Sequence, residues 1–327
     1  MTAYSTTLSP ASRLSPERQK VATRGAMVYW SMSRRRQSAE WPARPRLWLV
    51  DAFVHGHFKG NPAAVCLLPA PKSARWMQRI AARMRLSETA FVHPSANGFG
   101  LRWFTPKAEV ALCGHATLAS AHALWDAGLL GRGENARFHT RSGVLTARRR
   151  DSLIVMDFPS HDPRPTKAPR ALLSALRARP VYVATIRRQY FIVLESESAL
   201  RRLAPPMASL ESIPADGFIV TSRSTRRPYD FVSRYFAPAE GIPEDPVTGS
   251  AHCVLGPYWS RKLGKKSLVG LQASPRGGVV RVRIGRNRVF IGGQARTRRS
   301  RLPMPPRRVG RSPRLFRNDR RRRPSPT

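Results

Sequence analysis

Two segments place glycine and small residues where a helix would begin: Cys113-Gly114-His115-Ala116-Thr117 and Asp245-Pro246-Val247-Thr248-Gly249-Ser250-Ala251. The first turn of a helix leaves backbone N–H groups unpaired and carries partial positive charge, which suits an anion. Gly114, Ala116, Thr248, Gly249 and Ser250 are therefore candidate substrate-binding positions, where short side chains let a carboxylate approach the backbone. Two such ends in one chain suggest two ends aimed at one small carboxylate. Either alone is as well explained as a helix cap.

The acids narrow the chemistry, because the chain has only 19 of them. Glu88 stands in Leu86-Ser87-Glu88-Thr89-Ala90-Phe91-Val92 at the head of an expected strand. Partial burial there would raise its pKa toward that of a useful general base; the alternative is a solvated strand-end carboxylate. Asp245 could cap the second helix, orient a histidine, or hold a ligand amine or hydroxyl. His115 could exchange protons with a substrate or only hydrogen-bond it. Cys113 invites a thiolate reading, since a helix N-terminus lowers thiol pKa. A two-cysteine racemase would need a mirrored cysteine, but Thr248 stands in that place and Cys253 falls about a turn further on. The three cysteines form no CxxC pair and no His-interleaved spacing, so no metal site and no disulfide framework is expected.

These residues need elements to hold them. Leu47–Val50 and Ala63–Leu68 read as two strands around a Gly/His loop, and about Ser73 to Met84 carries helical spacing. Further strand signals recur from Glu88 to Phe158 and again from Pro180 to Ile291. Each stretch holds one helix after a glycine-bearing loop, about Gly114 to Ala127 and about Gly249 to Leu263. Both are small and apolar on most faces, which suits a helix wrapped by sheet. The expected organisation is a leader over 1–45 outside the fold, α/β halves over 46–160 and 161–295, and a disordered Arg/Pro-rich tail over 296–327.

The net charge of +39 demands an account. Of the 58 basic residues 50 are Arg, spread through strands, helices and ends alike, whereas nucleic-acid binders commonly use Lys as well. The pattern reads as a coding bias rather than a nucleic-acid surface. The competing reading is a non-catalytic binding protein that uses its Arg-rich tail for nucleic acid or another anionic partner. No apolar run approaches the 18 or so residues of a membrane span. A soluble, cytoplasmic protein is expected.

Taken together the motifs resemble the PhzF-like isomerase and epimerase family of phenazine biosynthesis. The resemblance rests on Val50-Asp51-Ala52-Phe53, Gly60-Asn61-Pro62-Ala63-Ala64-Val65, Leu86-Ser87-Glu88-Thr89-Ala90-Phe91 and Arg102-Trp103-Phe104-Thr105-Pro106. It continues through Cys113-Gly114-His115-Ala116-Thr117-Leu118-Ala119, Glu244-Asp245-Pro246-Val247-Thr248-Gly249-Ser250-Ala251-His252 and Gly292-Gly293-Gln294-Ala295. It implies an α+β, diaminopimelate-epimerase-like fold of two pseudo-symmetric halves, each a curved sheet around a central helix, with the ligand between them. It further implies Glu88 as the proton-transferring base, with His115 and Asp245 holding the substrate and helping to move the proton. No cofactor and a homodimer are implied as well.

Overall fold

A computed structural model describes residues 39–302. The expected leader up to residue 38, and the expected tail from 303, lie outside the described residues.

Runs of Val, Ile, Leu and Phe that alternate with polar residues become strands because one face of each can be buried. In chain order the first are β1 (Arg46–Val54), β2 (Asn61–Leu67), β3 (Glu88–Ser95), β4 (Gly98–Phe104), β5 (Glu109–Val110), β6 (Ala136–Thr140), β7 (Gly143–Arg150) and β8 (Leu153–Pro159). They are followed by β9 (Arg164–Pro165), β10 (Pro180–Ile186), β11 (Gln189–Leu194), β12 (Gly217–Arg223), β13 (Phe231–Phe236), β14 (Ser267–Gln272), β15 (Gly278–Ile284) and β16 (Arg288–Leu302). Strands β1, β2, β3, β4, β6, β7, β8 and β16 hydrogen-bond in that order, and β16 returns to pair with β1, which closes an eight-stranded barrel. From β16 a second curved sheet runs through β15, β14, β13, β12, β11 and β10 to β9.

Among the described residues six α-helices accompany the sheets: α1 (Ala74–Met84), α2 (Gly114–Asp126), α3 (Arg170–Leu176), α4 (Glu197–Arg202), α5 (Met207–Glu211) and α6 (His252–Leu263). Eleven of the thirteen residues of α2 are buried, so this helix fills the barrel rather than lying on it. Its buried hydroxyls are satisfied within the helix, Thr117 donating to the Cys113 carbonyl at 2.6 Å and Ser120 to the Ala116 carbonyl at 2.7 Å. Helix α6 packs on the second sheet. A Cβ at Gly256 would come within 2.6 Å of Val282 Cγ1, so only glycine allows that approach. Trp259 stacks on Phe231 and its Nε1 donates to Thr221 Oγ1 at 2.9 Å. Helices α3, α4 and α5 bury Leu172, Leu176, Leu200 and Leu210 against Ile192, Phe218 and Val220 on the opposite face of that sheet. Each such side chain contributes on the order of 2 kcal/mol. Helix α1, capped by the Ser73 hydroxyl, lays Met77, Ile80 and Met84 on the barrel's outside.

The α+β architecture of two curved sheets, each around a central helix, is as the motifs imply. Its edges differ from expectation. Strand β16 continues past Gln294 to Leu302 with β1 as its partner, so Arg296–Leu302 are strand and not disordered tail. The free edge of β1 supplies backbone hydrogen bonds that an Arg-rich sequence does not advertise. At the other end Trp41 belongs to the fold: it stacks on Phe99 and donates to the Leu68 carbonyl at 2.7 Å. The second central helix begins at His252, with Gly249–Ala251 forming the turn that leads into it.

Candidate active site

The two central helices meet end to end. A Cβ on Gly114 would lie 3.0 Å from the Gly249 Cα, and one on Gly249 would lie 3.2 Å from the Gly114 Cα. The glycines that sequence reasoning assigned to ligand approach therefore also let the helices touch. Phe53 supports this junction. It adopts φ 62, uncommon for a bulky residue, at a β1 irregularity, and its ring lies under Gly249 and against Gly293. The Asp51-Ala52-Phe53 and Gly-Gly-Gln motifs thus meet in space. Asp51 itself binds Arg276 at 2.9 Å and holds the frame together.

At the junction a cavity of about 400 Å³ opens, lined by Glu88, Cys113, Gly114, His115, Asp245, Thr248, Gly249 and Ser250. Of the eight residues singled out in the sequence, seven share this lining with Cys113, while Ala116 is buried in the first turn of α2 behind it. The first α-helical bond of α2 runs from Thr117 N–H to the Cys113 carbonyl, whereas α6 opens with shorter turn bonds, His252 N–H to the Gly249 carbonyl and Cys253 N–H to the Ser250 carbonyl, before its first α-helical bond from Leu255 N–H to the Ala251 carbonyl. The N–H groups of Gly114 and His115, and of Gly249 and Ser250, therefore precede both hydrogen-bond ladders at the cavity wall.

Glu88 heads β3 and is 8% exposed. Its Oε2 lies 3.2 Å from His115 Nε2. The two atoms are misaligned for a hydrogen bond, and neither has another partner among the described residues. Burial raises the Glu88 carboxyl well above its ordinary value, and the charges of Asp245 and Glu240 add to that. Burial also lowers His115, which favours the neutral imidazole. Asp245 is fixed differently: Asn61 Nδ2 donates to its Oδ1 at 2.7 Å and the Thr248 hydroxyl to its Oδ2 at 2.6 Å. Its neighbour Glu244 faces away to a two-pronged ion pair with Arg234, both contacts 2.8 Å.

Cys113 Sγ is 3.5 Å from His115 Nδ1. Burial, and then the Glu88 charge, push its thiol well above the ordinary value, against the lowering expected from the helix end. Cys253 also reaches the cavity and is pushed up to about 12 by burial. Both sulfurs thus hold their protons, which disfavours two-cysteine chemistry. Among the described residues Glu88, Cys113 and His115 could together hold a metal ion, their ligand atoms lying within 4.8 Å of one another. Such an ion would have to displace the proton that burial keeps on the Cys113 thiol.

Sequence reasoning missed Tyr235, Gln189 and Glu240, which also line the cavity. Gln189 Nε2 donates to the Tyr235 hydroxyl at 3.0 Å. Glu240 is raised to about 7 by burial and by the neighbouring Asp216 and Asp245 charges. Tyr235 reads as core in its apolar strand, and Glu240 reads as a turn residue; only the fold brings them to the cavity. No helix among the described residues is long and apolar enough to cross a membrane.

Comparison with known proteins places the chain in a family. Residues 50–301 match the family model for phenazine biosynthesis-like proteins, PhzC-PhzF. An uncharacterised isomerase of Halalkalibacterium halodurans is 51% identical over 252 residues, covering 77% of this chain and 95% of that protein. A crystal structure of a PhzF-family phenazine biosynthesis protein from Enterococcus faecalis superposes with a TM-score of 0.73 at 38% identity, over 78% of this chain and 97% of that one. In fold alone the chain is also similar to a hydroxyproline epimerase from Agrobacterium vitis, with a TM-score of 0.52 at 13% identity over 79% of this chain and 92% of that one. The chain belongs to the phenazine biosynthesis-like, PhzC-PhzF family of isomerases.

Proposed function

We propose that this protein is a cofactor-independent isomerase or epimerase that moves a proton between carbons of a small amino- or hydroxy-carboxylic acid, with Glu88 as the acid and base. The observation that carries the reading is Glu88 Oε2 facing His115 Nε2 at 3.2 Å, both buried and unpaired, beside two helix N-termini. Buried polar atoms without partners are costly, and a substrate that supplies those partners relieves the cost.

The substrate carboxylate sits on the N–H groups of Gly114, His115, Gly249 and Ser250, where helix ends favour negative charge. Ionised Glu88 takes the proton of a carbon next to an electron-withdrawing group, and the C–H electron pair passes into that group. Neutral His115 donates a hydrogen bond to the charge that develops. Protonated Glu88 then returns the proton to another carbon, or to the other face of the same carbon, and recovers its ionised form. A carboxyl whose pKa lies above the ordinary range is suited to both halves of this cycle. Asp245, held rigid by Asn61 and Thr248, receives the amine or hydroxyl of the substrate.

The test is incubation of the protein in heavy water with a panel of amino and hydroxy acids, each paired with its methyl ester, followed by mass spectrometry. Deuterium should enter carbon positions of at least one free acid and not of its ester. Exchange that proceeds equally well in the ester would remove the helix-end carboxylate site from the account.

A further inference from the structure

The sheet is continuous from β7 through β8, β16 and β15 to β14, and its outer face carries a second concave surface. Register aligns one rung across five strands. Arg148 pairs with Val155, Val155 with Gly292, Gly292 with Arg281, and Arg281 with Val269. The adjoining rung on that face carries Asp157, Phe290, Arg283 and Ser267. These side chains point away from the helices, because Val282, between Arg281 and Arg283, is the residue that meets Gly256 of α6.

The rung dips at its middle. A Cβ at Gly292 would meet nothing closer than Val155 Cγ2 at 3.5 Å, so the glycine is not required by packing, and a groove of about 570 Å³ opens over it. Arg148 and Arg150 stand on one wall, with Arg281 and Arg283 on the other. The walls are three strand spacings apart, about 14 Å along the sheet. None of these four arginines forms an ion pair among the described residues. Asp157, the acid in the lining, is already bound to Arg288 at 2.8 Å. The Arg283 guanidinium lies 4.0 Å over the Phe290 ring, an arrangement that orients it.

We propose that this groove binds a phosphate-bearing small molecule of about nucleotide size, its anionic groups held by Arg148, Arg150, Arg281 and Arg283 and its body laid across Gly292. Guanidinium forks match phosphate oxygens two at a time. Cations of one sign along a groove with apolar walls raise the local concentration of anions. A second copy of the chain is a poor occupant, since a two-fold contact centred here would set the same arginines against each other. Arginine is abundant over the whole surface. The register of these four about a bare glycine, and their lack of acidic partners, set them apart.

Calorimetric titration of the full-length protein with ATP at low salt tests the site, with adenosine as the uncharged comparison. The double change Arg148→Ala/Arg281→Ala should weaken ATP binding roughly tenfold or more. Gly292→Leu, which fills the floor and keeps every charge, should weaken it as well. Arg75→Ala/Arg79→Ala on α1, which removes the same charge from another exposed surface, should leave it within about twofold. Adenosine should not bind. Equal weakening by the two arginine pairs would reduce the effect to net charge and overturn the site, as would undiminished binding in Gly292→Leu. Conversion of a dimer to a monomer by Arg148→Ala/Arg281→Ala, with ATP binding unchanged, would give the face to a second copy instead. Isomerisation, on the helix side of the sheet, should be unaffected by either arginine pair.

Discussion

At the scale of single residues, the cavity holds more acid than an ordinary protein interior tolerates, and the cost shows as raised carboxyl pKa values. Glu240 titrates near 7 instead of its ordinary 4.5. A carboxyl whose folded value exceeds its unfolded one favours the fold while protonated. Its contribution is complete below about 4.5 and is lost as pH rises through about 7. Glu240→Gln should therefore match the wild type in urea unfolding near pH 5 and exceed it at pH 8, by on the order of 1 kcal/mol because the group is partly solvated. A stability difference that stays flat with pH would show that Glu240 is not strained by burial. Cys113→Ser should keep isomerase turnover within about threefold, since the thiol holds its proton and Ser fills nearly the same space. Loss of all turnover would restore a sulfur to the chemistry. Glu88, His115 and Asp245 stand out in the sequence as candidates by their small-residue surroundings, and the fold brings the three to one cavity. Tyr235 and Glu240 do not stand out, because an apolar strand and a surface-type turn hide residues that only tertiary structure turns inward.

At the scale of elements, the central feature is the head-on meeting of α2 and α6. Gly114→Ala would drive a methyl group to 3.0 Å from the Gly249 Cα and push the helix ends apart. Loss of about 1–3 kcal/mol of stability is expected from such crowding. Turnover should fall by roughly tenfold or more, because both helix ends must reach one substrate. Thermal unfolding and exchange measured on the same sample check this. An unchanged rate would mean that the helix ends act independently. Both helices were readable from their glycine-led starts and small apolar residues. That the two glycines touch each other was not, since neither segment encodes its distance from the other. Strand β16 shows the opposite failure. Its last residues, Arg296 to Leu302, carry little apolar alternation, and their structure comes from the waiting edge of β1.

At the scale of the whole molecule, that seam closes the barrel and separates the arginine-rich end of the sequence into two parts. Truncation after Leu302 should leave melting temperature and turnover close to those of the full chain. Truncation after Ala295 should remove most of the β1–β16 pairing and yield protein that unfolds early or precipitates. Equal stability of the two truncated forms, measured by calorimetry, would make the β16 extension dispensable. The overall architecture was legible because its motifs come in order and each carries its own local signal. The outer-face groove was not, because it depends on the register of five strands drawn from distant parts of the chain. Both surfaces depend on the same frame, and the proposed chemistry depends on one carboxyl, that of Glu88. The most direct measurement is deuterium incorporation from heavy water into an accepted substrate by the wild type and by Glu88→Gln, with folding of both verified by circular dichroism. Exchange that disappears in a folded Glu88→Gln protein is the expected result. Exchange at the wild-type rate in that variant would contradict the assignment of Glu88 and require another base at the junction of the helices.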